Sequence, residues 1–137
     1  MKRKSVSALK KELDKWFSLY IRHKYVRNGT VYCYTCNKPM LIKEAHCGHF
    51  VPRNYLATRF DEDNLRVQCP GCNLFGNGKP LDFEENLKAE LGETAVEELK
   101  QKRHKITILS PSWYSEQIAL YKDLVNNLIA KEGEVVY

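Results

Sequence analysis

No stretch of this chain is apolar for anything near the roughly 18 residues that a membrane-crossing helix needs. Its lysine-rich start, MKRKSVSALKK, runs into charged, amphipathic sequence and not into the apolar core of a secretion signal. There is no internal repeat and no low-complexity tract, so neither a solenoid nor a long linker is in view. A soluble, cytoplasmic protein without a membrane partner is the expectation. At 137 residues, a single domain spanning 1–137 is expected, long enough to bury about two thirds of its surface without disulfides.

Acidic residues are scarce where the chain begins. Residues 1–27 hold nine Lys/Arg against Glu12 and Asp14, a balance of +7; residues 28–80 stand at +2, and residues 81–137 at −4. Cations concentrated at one end suit a polyanion such as DNA, because they displace its condensed counterions. On charge alone, a solvated lysine-rich helix face explains the count equally well.

What is present falls into three parts. Residues 1–28 read as a basic N-terminal helix, from about Ser5 to Tyr25, with Leu9, Leu13, Trp16 and Tyr20 at three- and four-residue steps. Residues 29–80 change to short β-prone pieces, Val31–Cys33, Ala45–Val51 and Leu65–Gln68, between turns. Residues 81–137 return to helix: Pro80 suits a first turn, Gly92 interrupts, and Glu93–Arg103 resumes. Ser110–Pro111 then opens a last helix with Trp113, Ile118, Tyr121, Val125, Leu128 and Ile129 as its apolar stripe.

Four of the five cysteines form two C-x-x-C pairs, Cys33/Cys36 and Cys69/Cys72, with 32 residues between them. Without a secretion signal such pairs are read as metal ligands, and four thiolates suit a closed tetrahedral structural zinc site. A redox motif needs only one pair. A zinc deaminase wants H-x-E and P-C-x-x-C, but here the proline lies inside the pair and no Glu follows either histidine at that spacing. An iron–sulfur cluster shares the ligand type, and spacing does not separate it from zinc.

With zinc satisfied, His46, His49, Asn64 and Asn73 remain in a stretch too polar to be core. Phosphodiester hydrolysis gives them work: a neutral imidazole is a base near pH 7, and imidazole nitrogen and amide oxygen can hold Mg2+ or Mn2+. Asp61, Glu62 and Asp63 fit a solvated turn better than a ligand set.

The order C-x-x-C, GHFVP, DEDNL, C-x-x-C-N resembles the HNH, or ββα-metal, endonucleases with a zinc-knuckle frame, phage endonuclease VII among them. More closely, IRHKY, GHFVPR, TRFDEDNLRVQC and CNLFGNG resemble the phage lambda NinG (Rap) recombination family, over most of residues 5–130 and most specifically from 31 to 79. The resemblance implies an α+β fold: a small ββα-metal core with a pair of zinc knuckles, flanked by an N-terminal helix and C-terminal helices. It implies a metal-dependent endonuclease acting on branched DNA such as Holliday junctions or D-loops. His49 would be the general base, Asn64 the residue that braces the loop and the histidine, and Asn73 a ligand of the catalytic metal.

One position departs from the pattern: Gly48 stands where these enzymes commonly carry an Asp or His ligand. Because side chains alternate along a strand, His46 shares the face of residue 48 and is expected to replace that ligand; the alternative is a hydrogen bond beside the zinc knuckle. Asn77 is a weaker candidate, since Gly76 and Gly78 break the helix it would need. Arg53, Arg59, Arg66 and Lys79 are expected to flank the phosphate. A homodimer would cut two strands symmetrically. The rival readings are a non-catalytic zinc-ribbon module that binds nucleic acid, and a scaffold whose C-terminal helices recruit recombination proteins.

Overall fold

In the computed structural model, which describes residues 4–134, the chain opens with helix α1, Val6–Lys24. Ser5 caps it, Oγ accepting from the Ala8 amide at 3.1 Å, and Arg22, His23 and Lys24 occupy the last turn, where the helix dipole favours cations. Its buried line is Leu9, Leu13, Phe17 and Ile21. The expected stripe through Trp16 and Tyr20 is thus rotated: both rings lie half-buried at the edge, under the ammonium groups of Lys15 and Lys24 at 4.9 and 5.7 Å. A large ring with a cation on its face suits a boundary better than a packed centre.

Asn28 and Gly29, both with positive φ, turn the chain into β1, Thr30–Tyr32, which pairs antiparallel with β2, Pro39–Leu41. The first C-x-x-C fills the connection, closed by Asn37 in the left-handed region at φ 65°. A second antiparallel pair joins β3, His46–His49, to β4, Leu65–Gln68, with His46 opposite Gln68 and His49 opposite Leu65. A hydrogen bond of 2.8 Å from the Tyr34 amide to the Val67 carbonyl binds the first knuckle to β4. Between β3 and β4 lie a one-turn helix, α2, Leu56–Arg59, and a tight turn at Glu62–Asn64.

Directly after β4 the second C-x-x-C leads into a single wide turn, Gly71–Phe75, closed by a bond from the Gly76 amide to the Gly71 carbonyl. Turns of this i to i+5 type are often found at functional sites. Helix α3, Pro80–Leu91, and α4, Glu93–Lys102, form a hairpin around Phe83, Leu87, Val96 and Leu99. The last helix, α5, Pro111–Glu134, lies along α1, where Tyr121 packs on Phe17 with ring centroids 4.0 Å apart. Tyr114, Tyr121 and Val125 are its buried residues, whereas Ile129 is exposed, so the seam runs one position off the expected stripe at its start. The architecture is therefore mixed, helices around two small sheets. Among the described residues no helix is long and apolar enough to cross a membrane.

Candidate metal and catalytic centre

The sulfurs of Cys33, Cys36, Cys69 and Cys72 all lie within 4.8 Å of one another. A zinc ion with bonds of about 2.3 Å in a tetrahedron sets its sulfurs about 3.8 Å apart, and Cys36 Sγ stands 3.7 Å from Cys69 Sγ. The Cys72 amide donates to Cys69 Sγ at 3.3 Å, a bond that favours thiolate. The donor set therefore fits zinc, which would tie the β1–β2 connection to the end of β4.

Beside this frame, β3 presents His46, Cys47 and His49, and the wide turn presents Asn73, to an open cleft of about 260 Å³ against α1. His49 and Asn73 also line a larger cleft of about 760 Å³ that runs toward α3 and α4. The chain thus brings the two histidines and Asn73 together from separate elements. His46 Nδ1 accepts a hydrogen bond from Asn73 Nδ2 at 3.0 Å. Half a turn of that amide would put Oδ1 in place of Nδ2, opposite an imidazole lone pair that already faces it. Turned so, the amide oxygen and the imidazole nitrogen would be the two protein atoms able to ligate a cation here.

His49 Nε2 stands 3.1 Å from the Arg59 carbonyl oxygen. A carbonyl only accepts, so Nε2 carries the proton and Nδ1 keeps its lone pair. Burial, only partly offset by the Arg59 carbonyl and Asp14, lowers the pKa of this imidazole to about 4. Asn64 is fully buried; its Oδ1 accepts from the Val51 amide at 2.7 Å, and its Nδ2 donates to the Val51 and Thr58 carbonyls at 3.0 and 3.1 Å. It joins the segment after His49 to the segment that supplies the Arg59 carbonyl.

The four basic candidates separate. Arg53 and Lys79 are exposed, and neither forms an ion pair among the described residues. Arg59 grips Asp14 with two bonds, 3.0 and 2.5 Å, anchoring its loop to α1. Arg66 requires a correction: it is 3 % exposed, donates to the Glu62 and Leu65 carbonyls, and pairs with Glu90 at 2.9 Å. Every residue of β4 is buried, so this guanidinium is engaged inside the fold. The acidic run is structural too: Asp61 caps the turn and accepts from Lys102 at 2.7 Å, and Glu62 accepts from the Tyr121 hydroxyl at 2.9 Å. Asn77 falls outside any helix, at φ 53°.

Gly48 has a local cause. A Cβ there would lie 1.9 Å from Gln68 Oε1. The fully buried Gln68 side chain crosses that space to donate from Nε2 to Thr35 Oγ1 at 3.1 Å and the Gly78 carbonyl at 2.8 Å. Thr35 Oγ1 in turn lies 3.4 Å from Cys33 Sγ. Asp14 and Cys47 lie in no motif of the sequence: the first comes from α1, and only the odd cysteine count sets the second apart; Gln68 lies within TRFDEDNLRVQC, but nothing in that run gives it a role. Burial pushes the Cys47 thiol up to about 12, so it stays protonated between the histidines.

A family model described as "Bacteriophage Lambda NinG protein" matches residues 1–132. No curated protein and no solved structure matches the chain.

Proposed function

From a chain that belongs to the bacteriophage lambda NinG family, and so to a recombination-related phage family, we propose a metal-dependent endonuclease of the HNH type that hydrolyses phosphodiester bonds in branched DNA. The observation that carries this reading is the placement of His49: its Nε2 donates to the Arg59 carbonyl at 3.1 Å, which leaves the lone pair on Nδ1, and the side chain lines a cleft that Asn73 also lines. An imidazole oriented by a carbonyl and lining a cleft is placed to accept a proton from water. The antiparallel β3–β4 pair followed by the turn that carries Asn73 is compatible with a ββα-metal core.

In the proposed reaction His49 Nδ1 takes a proton from water as the oxygen attacks phosphorus. The bond from phosphorus to the leaving oxygen breaks, and that oxygen gains a proton from solvent. His46 and Asn73 would hold Mg2+ or Mn2+, which supplies charge neutralisation at the phosphate when bound. Asn64 ties the backbone after the base to the segment that supplies the Arg59 carbonyl, and Arg53 and Lys79 attract the phosphates. Symmetric cutting of a junction would take two copies of the chain.

The test is nicking of a four-way junction with Mg2+ or Mn2+. His49→Ala should retain zinc and its melting transition while nicking falls by about 100-fold or more. A His49→Ala protein that nicks at the wild-type rate would remove the assignment.

A further inference from the structure

The turn that carries Asn73 also carries apolar side chains with nothing to bury them. Leu74 is 59 % exposed and Phe75 88 %, and Leu81, in the first turn of α3, is 82 % exposed. A single exposed leucine needs no explanation. Three large apolar side chains between positions 74 and 81, two of them lining one cleft and the third next to them in the chain, do. Leu74 and Leu81 line the cleft of about 760 Å³ that His49 and Asn73 share, and Phe75 adjoins Leu74 on the same turn. The backbone fixes the display, because the Gly71–Gly76 bond closes the turn while the α3–α4 core packs around Phe83, Leu87, Val96 and Leu99 instead.

Cations stand around these apolar groups. Arg53 and Arg103 line the same cleft, and exposed Lys79 lies between the wide turn and α3. A surface that sets apolar faces among cations matches a ligand made of flat apolar faces joined by anions. Nucleic acid has that character only where its bases leave the stack, since a continuous duplex hides their faces. We infer that Phe75, flanked by Leu74 and Leu81, stacks on unpaired nucleobases beside the phosphate to be cut, and thereby favours branched or gapped DNA over linear duplex. Its placement rests on the nuclease reading, but the contact concerns binding and is measured without cleavage.

The experiment compares full-length, zinc-loaded His49→Ala protein with the His49→Ala, Phe75→Ala double variant. Binding is measured to a DNA junction with unpaired nucleotides at its branch and to a linear duplex of the same length, in Ca2+. Loss of one base–aromatic contact should cut the ratio of the two affinities by about tenfold, and Phe75→Trp should keep it. Phe75 is so exposed that folding should be unaffected, which the melting transition checks. An unchanged ratio would overturn the inference. So would an unchanged ratio accompanied by loss of self-association in sedimentation, which assigns the patch to a second copy. If wild-type protein nicks no DNA while the Phe75-dependent ratio persists, the nuclease reading falls and this contact stands. Nicking by wild-type protein with an unchanged ratio removes the contact and leaves the nuclease reading in place.

Discussion

At His49 the chemistry and the stability of the fold are linked through one proton. Its pKa falls from an ordinary 6.5 to about 4 in the folded chain. Between those values the unfolded chain binds the proton and the folded one does not, so stability is complete above pH 6.5 and declines as pH falls toward 4. The loss across the window is about 3 kcal/mol, and His49→Gln should flatten the Tm–pH curve over this window relative to wild type. The acid limb of the nicking–pH profile should likewise lie well below 6.5. Gly48 makes a second residue-scale prediction. Gly48→Ala drives a Cβ onto the Gln68 amide, which can move only by giving up Thr35 and Gly78, a loss of about 1–3 kcal/mol in urea unfolding. Adding Gln68→Ala to Gly48→Ala should cost less than the two single changes together. The sequence marks Gly48 as the odd position in its motif. It does not supply the reason, because the conflicting group comes from the partner strand and strand register is not written in β4 alone.

Elements are legible where one local rule governs them. Ser5 and Ser110–Pro111 start helices because capping is a matter of a few neighbouring atoms. β2 escapes such rules, since Pro39–Leu41 opens on a residue without an amide donor and becomes a strand only by pairing with β1. The resemblance implies a ββα core, whose helix would follow β4; the segment there, Gly71–Phe75, is a single wide turn. Positive φ at Asn77, Gly78 and Lys79 separates it from α3, and the Cys72 amide, donating to Cys69 Sγ at 3.3 Å, ties its first residues to the end of β4. The two C-x-x-C pairs are the clearest signal, because spacing is all a tetrahedral site requires. They also make the element-scale prediction: Cys69→Ser should lose bound zinc and the cooperative melting transition together, since β1–β2 and β3–β4 are small sheets that meet at the four-cysteine cluster. Four-thiolate zinc content in that variant, read by metal analysis and cobalt substitution spectra, would refute the shared site.

Across the whole molecule the excess of cations, +5 over the chain, is a poor guide to how many are free for a polyanion. Arg66 is paired with Glu90, Arg59 with Asp14, Lys102 with Asp61, Lys24 with Glu62, and Lys100 with Glu84. Arg53 and Lys79 remain exposed beside the cleft, and the half-buried Lys10 and the exposed Lys11 and Lys15 remain on the basic helix α1. Sequence alone ranks Arg66 equally with Arg53 because both are cations flanking the proposed site in the chain. Burial separates them: Arg66 sits among Glu90, two carbonyls and the Tyr25 and Tyr34 rings, at 5.8 and 5.5 Å. The three positions should therefore fail in different ways. Arg53→Ala and Lys79→Ala should each weaken DNA binding and reduce the slope of log affinity against log salt by about 1, with Tm unchanged. Arg66→Ala should instead destabilise the fold by on the order of 2 kcal/mol, because it strands two carbonyls and Glu90. In the fraction that remains folded, its salt slope should match wild type. A reduced salt slope for Arg66→Ala at full stability would mean that this guanidinium leaves the fold to meet DNA, and that β4 opens when the substrate binds.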